Sequence, residues 1–278
     1  MNMPDTVNKI RHRMTIRVGH STLSFAKPND EGNVLFEPYV VKSGISIAAN
    51  LREAFKTSEF LKDLSGRARV LVDSDTFLVP MSHFDEMKAG DLFFHSFPQY
   101  SQNHVFFNVM QEMSTVVLSS INKDLKLVLD DHFEDVRLVP AMTPVWGHLY
   151  QRSFTGGNQK LFAYVHEHKI DIFCFQQNRF KFCNSYDAKH VKDAVYYLLY
   201  VWNLLQFDAQ NDELHLVGDI FQSDSTSMQE DRETLLGELR RFLQKVYVVN
   251  PSADFNRAQV TSIKNMPYDM QTIFVKGR

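Results

Sequence analysis

Cysteine is almost missing from this sequence: Cys174 and Cys183 are the only two in 278 residues. Two thiols cannot build the dense disulfide framework of a small secreted domain, and no C-x-x-C spacing or adjacent activating base marks them as a redox pair. They fall on neighbouring strands of an expected hairpin and read as reduced, half-buried thiols. Long apolar runs are missing too. No stretch approaches the roughly 20 apolar residues of a membrane-crossing helix. The one basic cluster, Lys9, Arg11 and Arg13, is not followed by an apolar run of signal-peptide length. The expectation is a cytoplasmic protein, with peripheral association to an envelope complex as the one membrane link left open. Charge of one sign is also absent, with 30 Lys and Arg against 33 Asp and Glu and a pI near 6.4. Phosphate backbones need a concentrated basic face, so nucleic acid is not an expected partner. Walker A, dinucleotide and nucleophile-elbow fingerprints are absent as well.

What is present is ordinary globular patterning, 44% apolar and 23% charged, with 23 Phe that suggest thick, well-filled cores. The clearest segment is Lys160–Phe207. Leu161–Val165, Lys169–Phe175 and Arg179–Ser185 are short aromatic and β-branched runs separated by polar breaks, the pattern of a β-meander. Asp187 offers an N-cap to a helix in which Val191, Ala194, Val195, Leu198, Leu199, Trp202 and Leu205 form an apolar stripe. Its tyrosines, Tyr196, Tyr197 and Tyr200, spread the aromatics over more than one face and suggest an interface or partner surface. Leu214–Val217 follows as a strand ending in Gly218-Asp219.

The N-terminal half has the same order. Met14–Val18, Thr22–Ala26 and Val34–Val41 read as strands, and Ser43 or Ser46 caps a helix carrying Ile47, Leu51, Ala54, Phe55, Leu61 and Leu64. Gly66 ends that helix, and Arg69–Val72 is the next strand. Equal order at an offset of about 142 to 147 residues argues for an internal duplication. Each half then continues as alternating strand and helix, with a helix opening at Thr143-Pro144, another over Met228–Lys245 and a last strand at Thr272–Val275. Phe154–Gln159 reads as the linker, which places an N-terminal subdomain at 1–154 and a C-terminal subdomain at 160–278. Mixed pairing with helices after the meander makes this an α/β layered fold.

A meander followed by helix, strand, helix and strand, occurring twice, resembles the actin-like ATPase fold: two ribonuclease-H-like subdomains facing across a cleft. Three stretches carry the resemblance: Arg67–Phe84, containing ARVLVDSDTFLVPMSHF; Asp135–Tyr150, containing VRLVPAMTPVWGHLY; and Lys160–Ile220, ending in LHLVGDI. With the connecting order they cover nearly the whole chain, which is most similar to a bacterial family of uncharacterised proteins with that fold. Such a match implies a fold and no mechanism.

The resemblance also says where ATP chemistry would sit. In the parent fold two hairpin turns of the Asp-x-Gly kind cradle the phosphates, glycine giving backbone N–H groups close approach and aspartate holding magnesium. The first turn here is Arg17-Val18-Gly19-His20-Ser21, with arginine at the aspartate position. The second, His166-Glu167-His168-Lys169, has neither aspartate nor glycine. The glycine pair of the adenosine site is reduced to Gly218-Asp219. No Asp lies anywhere in Met14–Pro28 or Leu161–Lys169, so a shifted register does not restore the site. The first strands also lack the carboxylate that ribonuclease-H catalysis requires.

The expectation is therefore no catalytic residues, no metal site and no cofactor, with magnesium-ATP disfavoured. Gly19, His20, Ser21, Gly218 and Asp219 are the residues left to line a ligand cleft. His166-x-His168 reads as surface hairpin polarity. Asp73-Ser74-Asp75 and Asp130-Asp131-His132 read as caps and turns. A non-catalytic actin-like scaffold or protein-interaction module follows, by analogy with actin-like platform components of pilus and secretion systems. The alternative is a nucleotide or small-molecule binder, a divergent ATPase or kinase using the cleft.

Overall fold

The computed structural model describes residues 13–62, 66–218 and 226–275. Along the first half run β1 (Met14–Val18), β2 (Leu23–Pro28), β3 (Val34–Tyr39), α1 (Ile47–Thr57) and β4 (Arg67–Val72). After β4 come β5 (Thr76–Pro80), α2 (Ala89–Ser96), β6 (His104–Met110) and β7 (Thr115–Ile121). Then α3 (Lys123–His132), β8 (Asp135–Pro140) and α4 (Met142–Ser153) close that half. The second half holds β9 (Lys160–His166), β10 (Lys169–Gln176), β11 (Arg179–Asp187), α5 (Val191–Leu204), β12 (Glu213–Gly218) and α6 (Thr226–Arg240). It ends with β13 (Val246–Val248), α7 (Pro251–Asp254) and α8 (Tyr268–Val275).

Two five-stranded sheets have the same topology, β3-β2-β1-β4-β8 and β11-β10-β9-β12-β13. In each, the meander is antiparallel and the last two strands join it in parallel. The starts of β9, α5 and β12 lie 146, 144 and 146 residues after those of β1, α1 and β4, within the offset read from the sequence. Both first strands are buried on both faces, but by different partners. Met14, Ile16 and Val18 point outward into a core shared with α1 and α3, which leaves Thr15 and Arg17 facing the opposite way. On β9, Leu161 and Ala163 join the core under α5 and α6, while Phe162 and Tyr164 face inward.

The inward faces are covered by two helices that pack on each other, α4 and α8. Trp146 of α4 is fully buried against the second sheet, its ring 6.4 Å from Phe173 and 5.2 Å from Phe180. Met270 of α8 joins Ala26, Leu71 and Val139 on the first sheet. Each half thus lends a helix to the space between the sheets. That space is filled with side chains at this level.

The alternation expected after β4 is broken by a third sheet, β5-β7-β6. It packs on α2 through Phe-rich contacts, with Phe93 wholly buried among Phe94, Phe97 and Tyr100. The expected strand at Thr272–Val275 is the last turn of α8. Its β-branched residues favour a strand locally, but Tyr268, Asp269, Met270, Gln271 and Thr272 are all buried in α8, and tertiary burial overrides propensity. Asp187 is the last residue of β11, and α5 is capped by His190 with Asp193 in a reciprocal capping box. Of the two serines before α1, Ser46 is the cap, accepting from the Ala49 N–H at 3.1 Å. Gly66 does not end α1, which stops at Thr57; it supplies a left-handed turn (φ 73°) leading into β4.

Candidate functional site

The β1–β2 turn and the β9–β10 turn meet directly, and one carboxylate joins them. Glu167 sits at the tip of the second turn with φ 39°. Its Oε2 accepts the backbone N–H of Ser21 at 3.1 Å, and its Oε1 accepts the Thr22 hydroxyl at 2.6 Å. Oε1 also pairs with Nη1 of Arg17. A backbone N–H, a hydroxyl and a cation on one hairpin thus converge on an anion, and the N–H contact is the one that the resemblance assigns to a nucleotide phosphate. Gly19 is required for this closeness, because a Cβ there would collide with the Glu167 carboxylate and the Thr22 hydroxyl.

Arg17 is the centre of the arrangement. Its side chain is 1% exposed. Nε donates to both carboxylate oxygens of Asp269 on α8, at 3.0 and 2.8 Å. Nη1 also donates to Thr22 at 3.0 Å, and Nη2 lies 3.7 Å from Asp73 just beyond β4. Burial works against the charge on Arg17. Asp269, then Tyr164, Glu167 and Asp73 outweigh it and hold the guanidinium above its ordinary value. Asp269 is wholly buried, and burial raises its pKa more than Arg17 lowers it.

His166 forms the second node. Its Nε2 is 2.6 Å from Asp171 and its Nδ1 is 3.3 Å from Asp73, while its ring stacks on Tyr164 with centroids 4.4 Å apart. Burial disfavours the imidazolium, but Asp73 and Asp171 together carry its pKa well above the usual histidine range. Asp73 responds in the opposite sense. Burial alone would raise it, and His166, then Arg17, pull it well below the carboxylate range. Glu167 is also lowered: burial opposes its charge, and Arg17 and Thr22 favour it. Two cations therefore face four carboxylates, Asp73, Glu167, Asp171 and Asp269. A triphosphate would bring further negative charge to a place that already holds an excess of it.

The residues expected to line a cleft are placed as follows. Gly19 is buried at the turn, and the side chains of His20 and Ser21 are exposed, Ser21 contributing only its backbone N–H. Gly218 ends β12 with φ 134°. A Cβ there would run into the backbone of Val165, so this glycine serves the close pairing of β12 with β9. Asp219 lies outside the described residues. His166 is not surface hairpin polarity and Asp73 is not simply a cap or turn: both side chains are buried in the cluster. His166 continues the inward face of β9 after Phe162 and Tyr164, and its ring, stacked on Tyr164 and held by Asp73 and Asp171, has no access to solvent. His168 stays at the turn with φ 63°. The sequence patterns singled out above include neither Asp171 nor Asp269. Asp171 alternates inward on β10, a signal legible in principle, whereas nothing local marks Asp269, which is 252 residues from its partner. Among the described residues no group of three or more His, Cys, Asp or Glu is arranged to hold a metal ion. Cys174 and Cys183 are free thiols, the first buried, and burial pushes Cys174 up to about 11.

Two duplicated sheets of this topology, with inner helices and apposed hairpin turns, define the actin-like ATPase fold. The chain belongs to the family described as "Protein of unknown function (DUF3822)", whose model matches residues 4–235. A Bacteroides thetaiotaomicron protein "with actin-like ATPase fold and unknown function" superposes with a TM-score of 0.80 at 28% identity, over 98% of this chain and 99% of that one. The PilM–PilN type IV pilus biogenesis complex gives a TM-score of 0.49 at 8% identity, over 87% and 89% of the two chains. No curated protein matches the chain. The function of the family is unknown.

Proposed function

We propose that this chain is a non-catalytic actin-like protein of the cytoplasm, acting as a scaffold or interaction module, whose nucleotide cleft is closed by its own side chains. The observation that carries the reading is Glu167, whose carboxylate takes the Ser21 N–H, the Thr22 hydroxyl and Arg17. An internal anion tethered by the fold competes at high effective concentration with any external phosphate. The cavity beside the cluster, about 590 Å³, is lined by Asp75 and Asp171 with Lys181 as its one cation, which does not suit an anionic ligand. Among the described residues no helix is long and apolar enough to cross a membrane, which supports a protein that meets its partners in solution or at a membrane surface.

The test is a thermal-shift titration with magnesium-ATP. A ligand at 100 times its dissociation constant stabilises by about 2.7 kcal/mol, or several degrees for a chain of this size. The expected result is no shift from the cleft at millimolar magnesium-ATP; a saturable rise that persists when Arg69 and Arg137, which lie outside the cleft, are both changed to Gln would sink the closed-cleft reading.

The partner surface that fits this role is the outer face of α5. Tyr196, Tyr200 and Leu204, four residues apart, are 63%, 50% and 55% exposed. The first two rings stack with centroids 6.1 Å apart. Exposed aromatics aligned on one helix stripe suit a protein interface, in which tyrosine anchors supply much of the binding energy. Tyr196→Ser with Tyr200→Ser leaves the α5 core residues in place. It is expected to lose a stoichiometric partner that the unmodified chain retains on purification from native lysate. A monomer that retains no partner in either form would overturn the scaffold role.

A further inference from the structure

A pair of arginines without carboxylate partners among the described residues, Arg69 partly buried and Arg137 exposed, lies away from the charge cluster. Arg69 of β4 and Arg137 of β8 are register partners on adjacent parallel strands, and both line a cavity of about 520 Å³. Among the described residues no carboxylate lies within ion-pair distance of either. Asp135, two residues before Arg137 on β8, is already shared by Arg13 at 2.6 Å and Arg67 at 3.2 Å. The acidic residue that does line the cavity, Glu112, accepts the side-chain amide of Gln151 at 2.9 Å. Burial, then Arg137 and Arg13, push the Arg69 guanidinium below its ordinary value, the direction expected of a cation crowded by like charge.

The α4 wall of the cavity offers a donor. Thr143, in the first turn of α4, lines it, and its hydroxyl oxygen is buried with no hydrogen-bond partner. The helix start at Ala141 has no side-chain cap and no acidic residue in its first turn. Gly147, one turn on, keeps that wall clear of side-chain bulk. Guanidinium pairs favour phosphoryl groups because their planar forks match the oxygen spacing and stay charged at all physiological pH values. The volume falls within the range of small-ligand sites and leaves room beyond one phosphoryl group.

We propose that this cavity, between β4, β8, the end of β6 and the start of α4, is an oxyanion site that holds the phosphoryl group of a small phosphorylated ligand. Arg69 and Arg137 clamp the oxygens, and Thr143 donates its hydroxyl. The site does not depend on the closed cleft, and its ligand is not held by magnesium or by the hairpin turns.

The test is calorimetric titration of the full chain with inorganic phosphate and, separately, with glycerol 3-phosphate and glucose 6-phosphate, at low ionic strength. Saturable one-site binding is expected, weakened at least tenfold by Arg69→Gln and by Arg137→Gln, and several-fold by Thr143→Val. An ester that binds tighter than inorganic phosphate identifies a phosphorylated metabolite; equal binding identifies the free ion as the natural occupant and overturns the metabolite assignment. Folding supplies an independent readout. Without phosphate either glutamine variant removes like-charge repulsion, so its Tm should equal or exceed that of the unmodified chain. Added phosphate should raise the Tm of the unmodified chain alone. Titrations that do not distinguish the unmodified chain from the Arg69→Gln/Arg137→Gln double variant would overturn the site. Repeating the magnesium-ATP titration in that double variant separates this site from the cleft.

Discussion

Arg17→Met is expected to cost about 3–5 kcal/mol of folding stability, the penalty for removing one partner from a buried ion-pair network. For a chain of this length that corresponds to a fall in Tm on the order of 10 °C. The cost does not measure the attraction of one pair. Methionine fills much of the arginine stem's volume, so little of the loss comes from a cavity. The loss comes from Asp269, 0% exposed, and Glu167, 8% exposed, which are left buried without a counter-ion and must either bear an unpaired charge or take up a proton. The prediction has a second arm for that reason. Arg17→Met combined with Asp269→Leu and Glu167→Gln removes the stranded charges, and most of the lost stability should return, since buried ionic groups replaced together by neutral ones are often tolerated. Urea denaturation of the three proteins at one pH reads both arms. A single variant within 1 kcal/mol of the unmodified chain would show that the cluster contributes nothing to the fold.

The position of Arg17 was legible in the sequence and its role was not. The hydrophobic alternation of MTIRV fixes β1, and alternation alone sends Arg17 to the face opposite Ile16. An arginine cannot itself ligate magnesium as the aspartate of the resembled fold would. What it binds is decided by chain segments far away: Glu167 is 150 residues distant and Asp269 is 252. No periodicity encodes such a pairing. The duplication is the opposite case, since it depends on element order and spacing, which local pattern conveys well. The third sheet illustrates the boundary between the two. Its strands β5, β6 and β7 carry apolar residues, but their separate pairing depends on which edge each strand meets, and apolar content does not determine that. Likewise α8 carries Thr272, Ile273 and Val275, residues of strand type. They are helical because α8 is packed against α4 and the first sheet, and an isolated strand there would leave its backbone unpaired.

His166 turns the same network into a pH dependence with a definite sign. Its folded pKa lies well above the unfolded value of about 6.5. A group raised in this way binds more protons folded than unfolded, so its stabilisation is complete below about pH 6.5 and is lost as pH rises toward the folded value. Between those limits stability should fall by up to about 1.4 kcal/mol per pH unit. Asp73 and Glu167, lowered in the folded state, give the opposite arm: their contribution is present above about pH 4 and is lost on acidification. His104 and His215, both lowered, weaken the fold only as pH drops below 6.5, and the buried thiols act only above the ordinary cysteine range near 8.5. Asp269, raised by burial, adds a loss of the same sign from about pH 4 up to its own folded value, so the part of the slope between pH 6.5 and 8 that belongs to His166 is the part its substitution removes. His166→Gln keeps a donor for Asp171 and cannot titrate. Denaturation midpoints measured at pH 6.5, 7.2 and 8 should decline more steeply for the unmodified chain than for the variant, which is less stable at pH 6.5 and approaches the unmodified chain at pH 8. Parallel lines would mean that His166 is neutral in the folded state, and that Asp73 takes its counter-charge from Arg17 alone.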